Sequence, residues 1–134
     1  VWDIGCAGGF FLRYAMDHGA KRAIGVDLPE PLEAAFHVGN FLGYFNIDYV
    51  YNDLRKGIDS AIEKPDIAFL LSMNYHVPIP ERVFESDIVI FEDNGKDTRH
   101  LRQLSSPWTG HYKILEFVGR GEDHGQKSVY HCKR

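Results

Sequence analysis

The stretch VWDIGCAGGF (1–10) decides the reading of the fold. Val1 to Ile4 read as a strand, and Gly5-Cys6-Ala7-Gly8-Gly9 is a knot of small residues that leads into an amphipathic run. Small side chains let a backbone turn sharply and let a ligand lie against it. A helix that starts at such a turn offers free amide donors and the positive end of its dipole. Three glycines and an alanine in five positions exceed what a tight strand-to-helix turn needs, so the knot is expected to make room for something.

Outward from the knot, helix and strand signals alternate. Over 11–18 Leu12, Ala15 and Met16, followed by Gly19, fall at helical spacing. RAIGVDL (22–28) reads as a buried strand, and PEPLEAAFHVGNFLGYF (29–45) as a helix with Leu32, Ala35, Phe36, Gly39 and Leu42 on one face. Its Pro-Glu-Pro opening suits a helix start, where missing amide donors cost little. IDYVYNDL (47–54) reads as a strand, and RKGIDSAIEK (55–64) as a short, weak helix stopped by Pro65. DIAFLLSM (66–73) and DIVIFED (87–93) are apolar almost throughout, as parallel strands buried on both faces are. PERVFES (80–86) allows one or two helical turns, and KDTRHLRQL (96–104) a helix. YKILEFVG (112–119) and KSVYHCK (127–133), separated by RGEDHGQ, read as an antiparallel hairpin.

This order predicts an α/β protein: a Rossmann-like three-layer α/β/α sandwich, mostly parallel, with a C-terminal antiparallel hairpin. The 134 residues are expected to form one domain. The clipped first strand suggests that elements preceding Val1 are missing. Hydrophobic residues make up 44%, enough for a core, and the formal net charge of −4 gives no global pull toward nucleic acid. No apolar run reaches membrane-spanning length, and the opening residues are not expected to be a signal peptide. Cys6 and Cys132, far apart in sequence, are expected as free thiols in a reducing cytosol, so the expected location is cytoplasmic.

In parallel sheets of this kind ligands bind beyond the carboxyl ends of the strands, near the point where strand order reverses. The strand tips therefore supply the candidate residues. A dinucleotide site favours G-x-G-x-x-G, but here the frame reads Gly5, Ala7, Phe10, with a large aromatic at the third position. The frame Asp3-x-Gly5-x-Ala7-x-Gly9 instead resembles the first motif of class I S-adenosylmethionine-dependent methyltransferases, with Ala7 where that family most often has glycine. The resemblance is carried by DIGCAGGF (3–10), then by GVDL (25–28) and DIAFLLSMNYHV (66–77). It implies that Asp3, Gly5, Cys6, Ala7, Gly8, Gly9 and Phe10 border the methionine part of the cofactor. Asp27 would accept the ribose hydroxyls, with Leu28 beside it, a role that dinucleotide folds share. Asp53 would receive the adenine amino group and Leu54 would lie against the ring; the alternative for Asp53 is a helix N-cap. Ser72 and Met73 would lie near the cofactor, while Asn74, Tyr75 and His76 would border the acceptor. His76, with Tyr75 beside it, is the candidate catalytic residue, either as a general base near neutrality or as a group that only orients its loop.

Two lesser constellations remain. Asp93-Asn94 resembles the ion ligands of metal-dependent catechol-type O-methyltransferases, but Ser72 stands where that family needs an acid, so no metal is expected. His124, His131 and Cys132 lack a fourth ligand for zinc. The expected function is S-adenosylmethionine-dependent methyl transfer, with a small-molecule acceptor first, RNA second and no membrane partner. The alternatives are a nicotinamide-dinucleotide oxidoreductase and a non-catalytic module that binds cofactor or partners. Gly5→Val is expected to remove cofactor affinity with little change in thermal stability.

Overall fold

The structure is a computed structural model that describes residues 1–71, 79–93, 114–120 and 128–134. The chain runs β1 (Trp2–Ile4), α1 (Phe10–Asp17), β2 (Ala23–Asp27), α2 (Pro29–Phe41), β3 (Ile47–Tyr51), β4 (Ile67–Leu70), β5 (Ile88–Asp93), β6 (Ile114–Arg120) and β7 (Ser128–Lys133). Two 3-10 turns, Leu54–Lys56 and Glu81–Glu85, flank β4 in sequence. All seven strands join one sheet in the order β3-β2-β1-β4-β5-β7-β6. The first five pair in parallel, and β7 runs antiparallel between β5 and β6. This is the Rossmann-like, mostly parallel sheet with a closing antiparallel pair that the sequence predicts. Strand order reverses at β1, which lies between β2 and β4.

Period-two alternation sorts the side chains of this sheet onto two faces. Trp2 and Ile4 of β1 join Ile24, Val26, Ala68, Leu70, Val89, Phe91 and Cys132 in the larger core cluster. Among the described residues that face is covered by the two 3-10 turns and their flanks, through Leu54, Ile58, Val83 and Phe84. The opposite face carries a smaller cluster of Cys6, Leu12, Ala23, Leu32 and Ile47, covered by α1 and α2. Burying each large aliphatic side chain fully stabilises by about 1.5–3 kcal/mol, so the larger cluster contributes most of what holds the strands in register.

Three elements differ from expectation. The weak helix over 55–64 is only the 3-10 turn Leu54–Lys56, because Gly57 leaves at φ 86, a left-handed conformation that ends it. In α2, Leu32, Ala35 and Gly39 face the core, but Phe36 and Leu42 are about half exposed. The predicted stripe was therefore too wide, and Tyr49, packed against Gly39, fills the space a larger side chain would take. Strand β3 ends at Tyr51, before Asp53. The helix expected over 96–104 lies outside the described residues. Both cysteines are free and buried, and no helix among the described residues is long and apolar enough to cross a membrane.

Candidate functional site

The knot after β1 is a built loop. Gly5, Ala7 and Gly9 all have positive φ, at 74°, 45° and 71°. Glycine takes that conformation without penalty, whereas an alanine there carries a steric cost. Left-handed residues at positions 5, 7 and 9 match the alternate spacing of the small residues in the sequence motif. Gly9 serves as the N-cap of α1 with no side-chain cap, and no acidic residue sits in the first turn. The leading amides of α1 are thus left without a side-chain acceptor. A Cβ on Gly9 would approach Ala35 of α2 and Arg13 at 3.2 Å each, so glycine also lets α2 pack against the loop.

The loop is tied to the tip of β2. The Gly5 amide donates to the Val26 carbonyl (2.8 Å) and the Gly9 amide to the Cys6 carbonyl (2.7 Å). Asp27 accepts from the Ala7 amide at Oδ2 (2.9 Å) and from the Leu28 amide at Oδ1 (2.7 Å). A carboxylate has about four lone-pair sites, so this half-buried acid keeps acceptor capacity after both bonds. The Asn52 amide donates to the Asp27 carbonyl (3.1 Å), which joins the tip of β3 to the same corner. Arg13 reaches back from α1 and donates to the Gly8 carbonyl (2.7 Å).

Asp3, on β1 two residues before Gly5, is only 2% exposed. Its register partners are Gly25 on β2 and Phe69 on β4. Its Oδ2 is buried without a hydrogen-bond partner. Burial, with the charge of Asp27 adding to it, raises its carboxyl to about 7. Cys6, also buried, has its thiol pushed up to about 12, first by burial and then by Asp3 and Asp27, so it stays neutral.

The structure brings most of the sequence-predicted residues to this edge. Gly8, Ala7, Phe10 and Leu28 are exposed there, Phe10 at 62% and Leu28 at 49%. Asp53 caps the first 3-10 turn through the Arg55 amide (3.2 Å) and pairs with the Arg55 guanidinium at 2.8 and 2.9 Å. That guanidinium holds the Asp53 carboxyl below the usual carboxylate range. Leu54 is buried in the larger core cluster, 8% exposed, and offers a ring little surface. Ser72, Met73, Asn74, Tyr75, His76 and Asn94 lie outside the described residues. Among the described residues no three His, Cys, Asp or Glu side chains gather as a metal site.

Sequence reasoning missed Arg13, Asn52 and Gly25. A Cβ on Gly25 would sit 2.7 Å from Leu12 Cδ1 and 2.8 Å from Cys6 Sγ. A glycine inside the β-branched run AIGVD is the signal that points to such a close approach. The expectation for Gly5 also needs correction. At φ 74 a β-branched side chain is strained, so Gly5→Val lowers stability as well as changing the loop.

A parallel sheet with its strand order reversing at β1, and a glycine-rich loop tied to an acid at the tip of β2, places the chain in the Rossmann-like class of α/β folds. Residues 2–88 match the family described as "Methyltransferase domain", and the chain belongs to that family. No curated protein matches the chain in sequence. Among solved structures it is similar to EvdMO1 (TM-score 0.76, 15% identity), covering 99% of this chain and 36% of that one. It is similar to a SAM-dependent methyltransferase from Aquifex aeolicus (0.69, 16%), covering 98% and 79%. It is also similar to TrmK of M. capricolum in complex with the natural cofactor product S-adenosyl-homocysteine (0.69, 17%), covering 98% and 60%. At these identities the likeness shows the fold alone. The chain spans about a third of the length of EvdMO1.

Proposed function

We propose that this protein is a methyltransferase that uses S-adenosylmethionine and acts on a small-molecule acceptor. The observation that carries the reading is the anchored loop 5–9: left-handed small residues keep side chains away, and Asp27 presents unused acceptor capacity beside them. The residues fit a nucleoside amino acid. Gly5 to Gly9 would border its methionine part, Asp27 would accept from the ribose, and the open start of α1 favours an anionic group. Asp3 is a buried acid with no cation beside it among the described residues, as a positively charged ligand would require. The S-adenosyl-homocysteine held by the similar TrmK structure supports the same cofactor. The cofactor supplies an activated methyl group on a sulfonium; the chain's part is to hold it, exclude water and position the acceptor. Tyr75 and His76, at the sequence position following β4, are the candidates for contacting the acceptor. The net charge of −4 weighs against a polyanionic acceptor.

Calorimetry tests the cofactor first. S-adenosylhomocysteine is expected to bind and NADH is not. Asp27→Ala is expected to weaken S-adenosylhomocysteine by about 1–3 kcal/mol through lost charged hydrogen bonds. Tighter binding of NADH would instead make the protein a dinucleotide enzyme. Labelled methyl donor offered with small-molecule and RNA acceptor pools then decides the acceptor class, and binding without transfer to any acceptor favours a non-catalytic module.

A further inference from the structure

We infer that Arg13 is a positioning residue for cofactor binding: it clamps two successive carbonyls of the loop to α1 and so holds the loop in its ligand-accepting shape. The inference rests on the cofactor reading above and adds to it the side chain that prepares the loop.

A run of glycines does not keep one conformation by itself, because each glycine takes φ of either sign about equally well. Yet Gly5, Ala7 and Gly9 are all left-handed. Their shape has to be imposed by bonds. Some of these run through loop amides: Gly5 to the Val26 carbonyl, Ala7 to Asp27 and Gly9 to the Cys6 carbonyl. The carbonyls of Gly8 and Gly9 are gripped from α1. The Arg13 amide donates to the Gly9 carbonyl (3.2 Å), and the guanidinium Nη1 donates to the Gly8 carbonyl (2.7 Å). The second bond is charge-assisted and therefore the stronger of the two. The Gly8–Gly9 peptide is thus held at both ends, its oxygen by Arg13 and its amide by Cys6.

Arg13 stands apart from the other arginines. Arg22, Arg55 and Arg82 each pair with a carboxylate. Among the described residues the half-buried Arg13 pairs with none, and its guanidinium donates to the Gly8 carbonyl alone. Its Nη1 lies 3.2 Å from where a Gly9 Cβ would stand, a place that Ala35 of α2 also approaches. Gly8 itself is exposed, and nothing lies within 4 Å of a Cβ built on it. Among the described residues its amide has no acceptor, so it joins the leading amides of α1 as a donor open to a ligand. Without the guanidinium the peptide is free to rotate, and binding has to order the loop again at a cost in affinity.

The test is calorimetry of S-adenosylhomocysteine with the full chain and with Arg13→Met and Arg13→Lys, each checked for folding by circular dichroism. Arg13→Met keeps most of the side chain's length and removes every donor, and its affinity is expected to fall about tenfold. Arg13→Lys restores a charged donor and is expected to regain part of that loss, which a role in packing alone would not produce. Should Arg13→Met fail to fold, binding by Arg13→Lys weaker than wild type carries the test. Amide exchange of Gly9, followed by NMR in the unliganded protein, is expected to speed up several-fold in the variants, because its bond to Cys6 belongs to the released peptide. Equal affinity of wild type and variants overturns the inference and leaves the cofactor reading intact. Weakened binding with unchanged Gly9 exchange also overturns it, since Arg13 would then meet the ligand itself. Absence of binding by the wild-type protein overturns the cofactor reading and this inference with it.

Discussion

Ala7 is the residue at which the loop's geometry and its chemistry disagree. It takes φ 45°, while its neighbours two places away on either side are glycines with φ above 70°. An L residue in the left-handed region costs roughly 1–2 kcal/mol, because its Cβ crowds the following carbonyl. Part of that cost is offset by the hydrogen bond from the Ala7 amide to Asp27 Oδ2. Ala7→Gly keeps that amide and removes the crowding, while adding freedom to the unfolded chain. The expected outcome is a net gain of up to about 1 kcal/mol in chemical denaturation, with cofactor affinity unchanged or improved. A loss of stability would mean that the alanine methyl makes favourable contact in the folded protein. The sequence signalled Ala7 as a small residue out of family pattern; only the dihedral angles show that it is strained, because φ is not encoded in residue type alone.

Elements carry the loop through one close approach. Leu12 from α1 and Cys6 from the loop meet over Gly25 of β2, and the two side chains seat the helix on the strand. A methyl group at Gly25 would lie inside van der Waals distance of both. Gly25→Ala is expected to cost about 1–3 kcal/mol by overpacking, and to lower cofactor affinity because Cys6 belongs to the loop. The double variant Gly25→Ala, Cys6→Ala is expected to recover part of both losses, since it removes the sulfur that collides; a strictly additive double mutant would refute the contact. Elements were the most legible scale in the sequence. Among the described residues, strong periodicity and continuous apolar runs located the strands and the helices α1 and α2 to within a few residues. The segment 55–64 failed because its apolar spacing was compatible with a helix, while Gly57 ended the turn after three residues. Phe36 and Leu42 failed because an apolar face wider than the available sheet leaves its margins in solvent.

For the molecule as a whole, sheet order was legible as a class, and it placed the candidate residues: Asp3, Gly5 to Gly9 and Asp27 lie at the strand tips that a parallel sheet brings together. What the sequence did not reveal was the electrical state of the corner, which depends on which charges end up facing one another in three dimensions. Asp3 makes that state a property of global stability. In the unfolded chain its carboxyl titrates near the ordinary 3.8, and in the folded protein near 7. Below about pH 4 both states hold the proton and Asp3 imposes no penalty. Between about pH 4 and 7 the folded state holds the extra proton, so stability falls as pH rises, and above pH 7 the full penalty remains. Three units correspond to an upper bound of about 4 kcal/mol. Asp3→Asn removes the ionisation but leaves a buried amide to satisfy, so the gain above pH 7 is expected to be about 1–3 kcal/mol. Chemical denaturation from pH 4 to 8 measures it as the difference between variant and wild type, which should grow with pH and level off near neutrality. A difference that stays constant across that range would show that Asp3 is ionised in the folded protein throughout, with its charge met by a partner of its own.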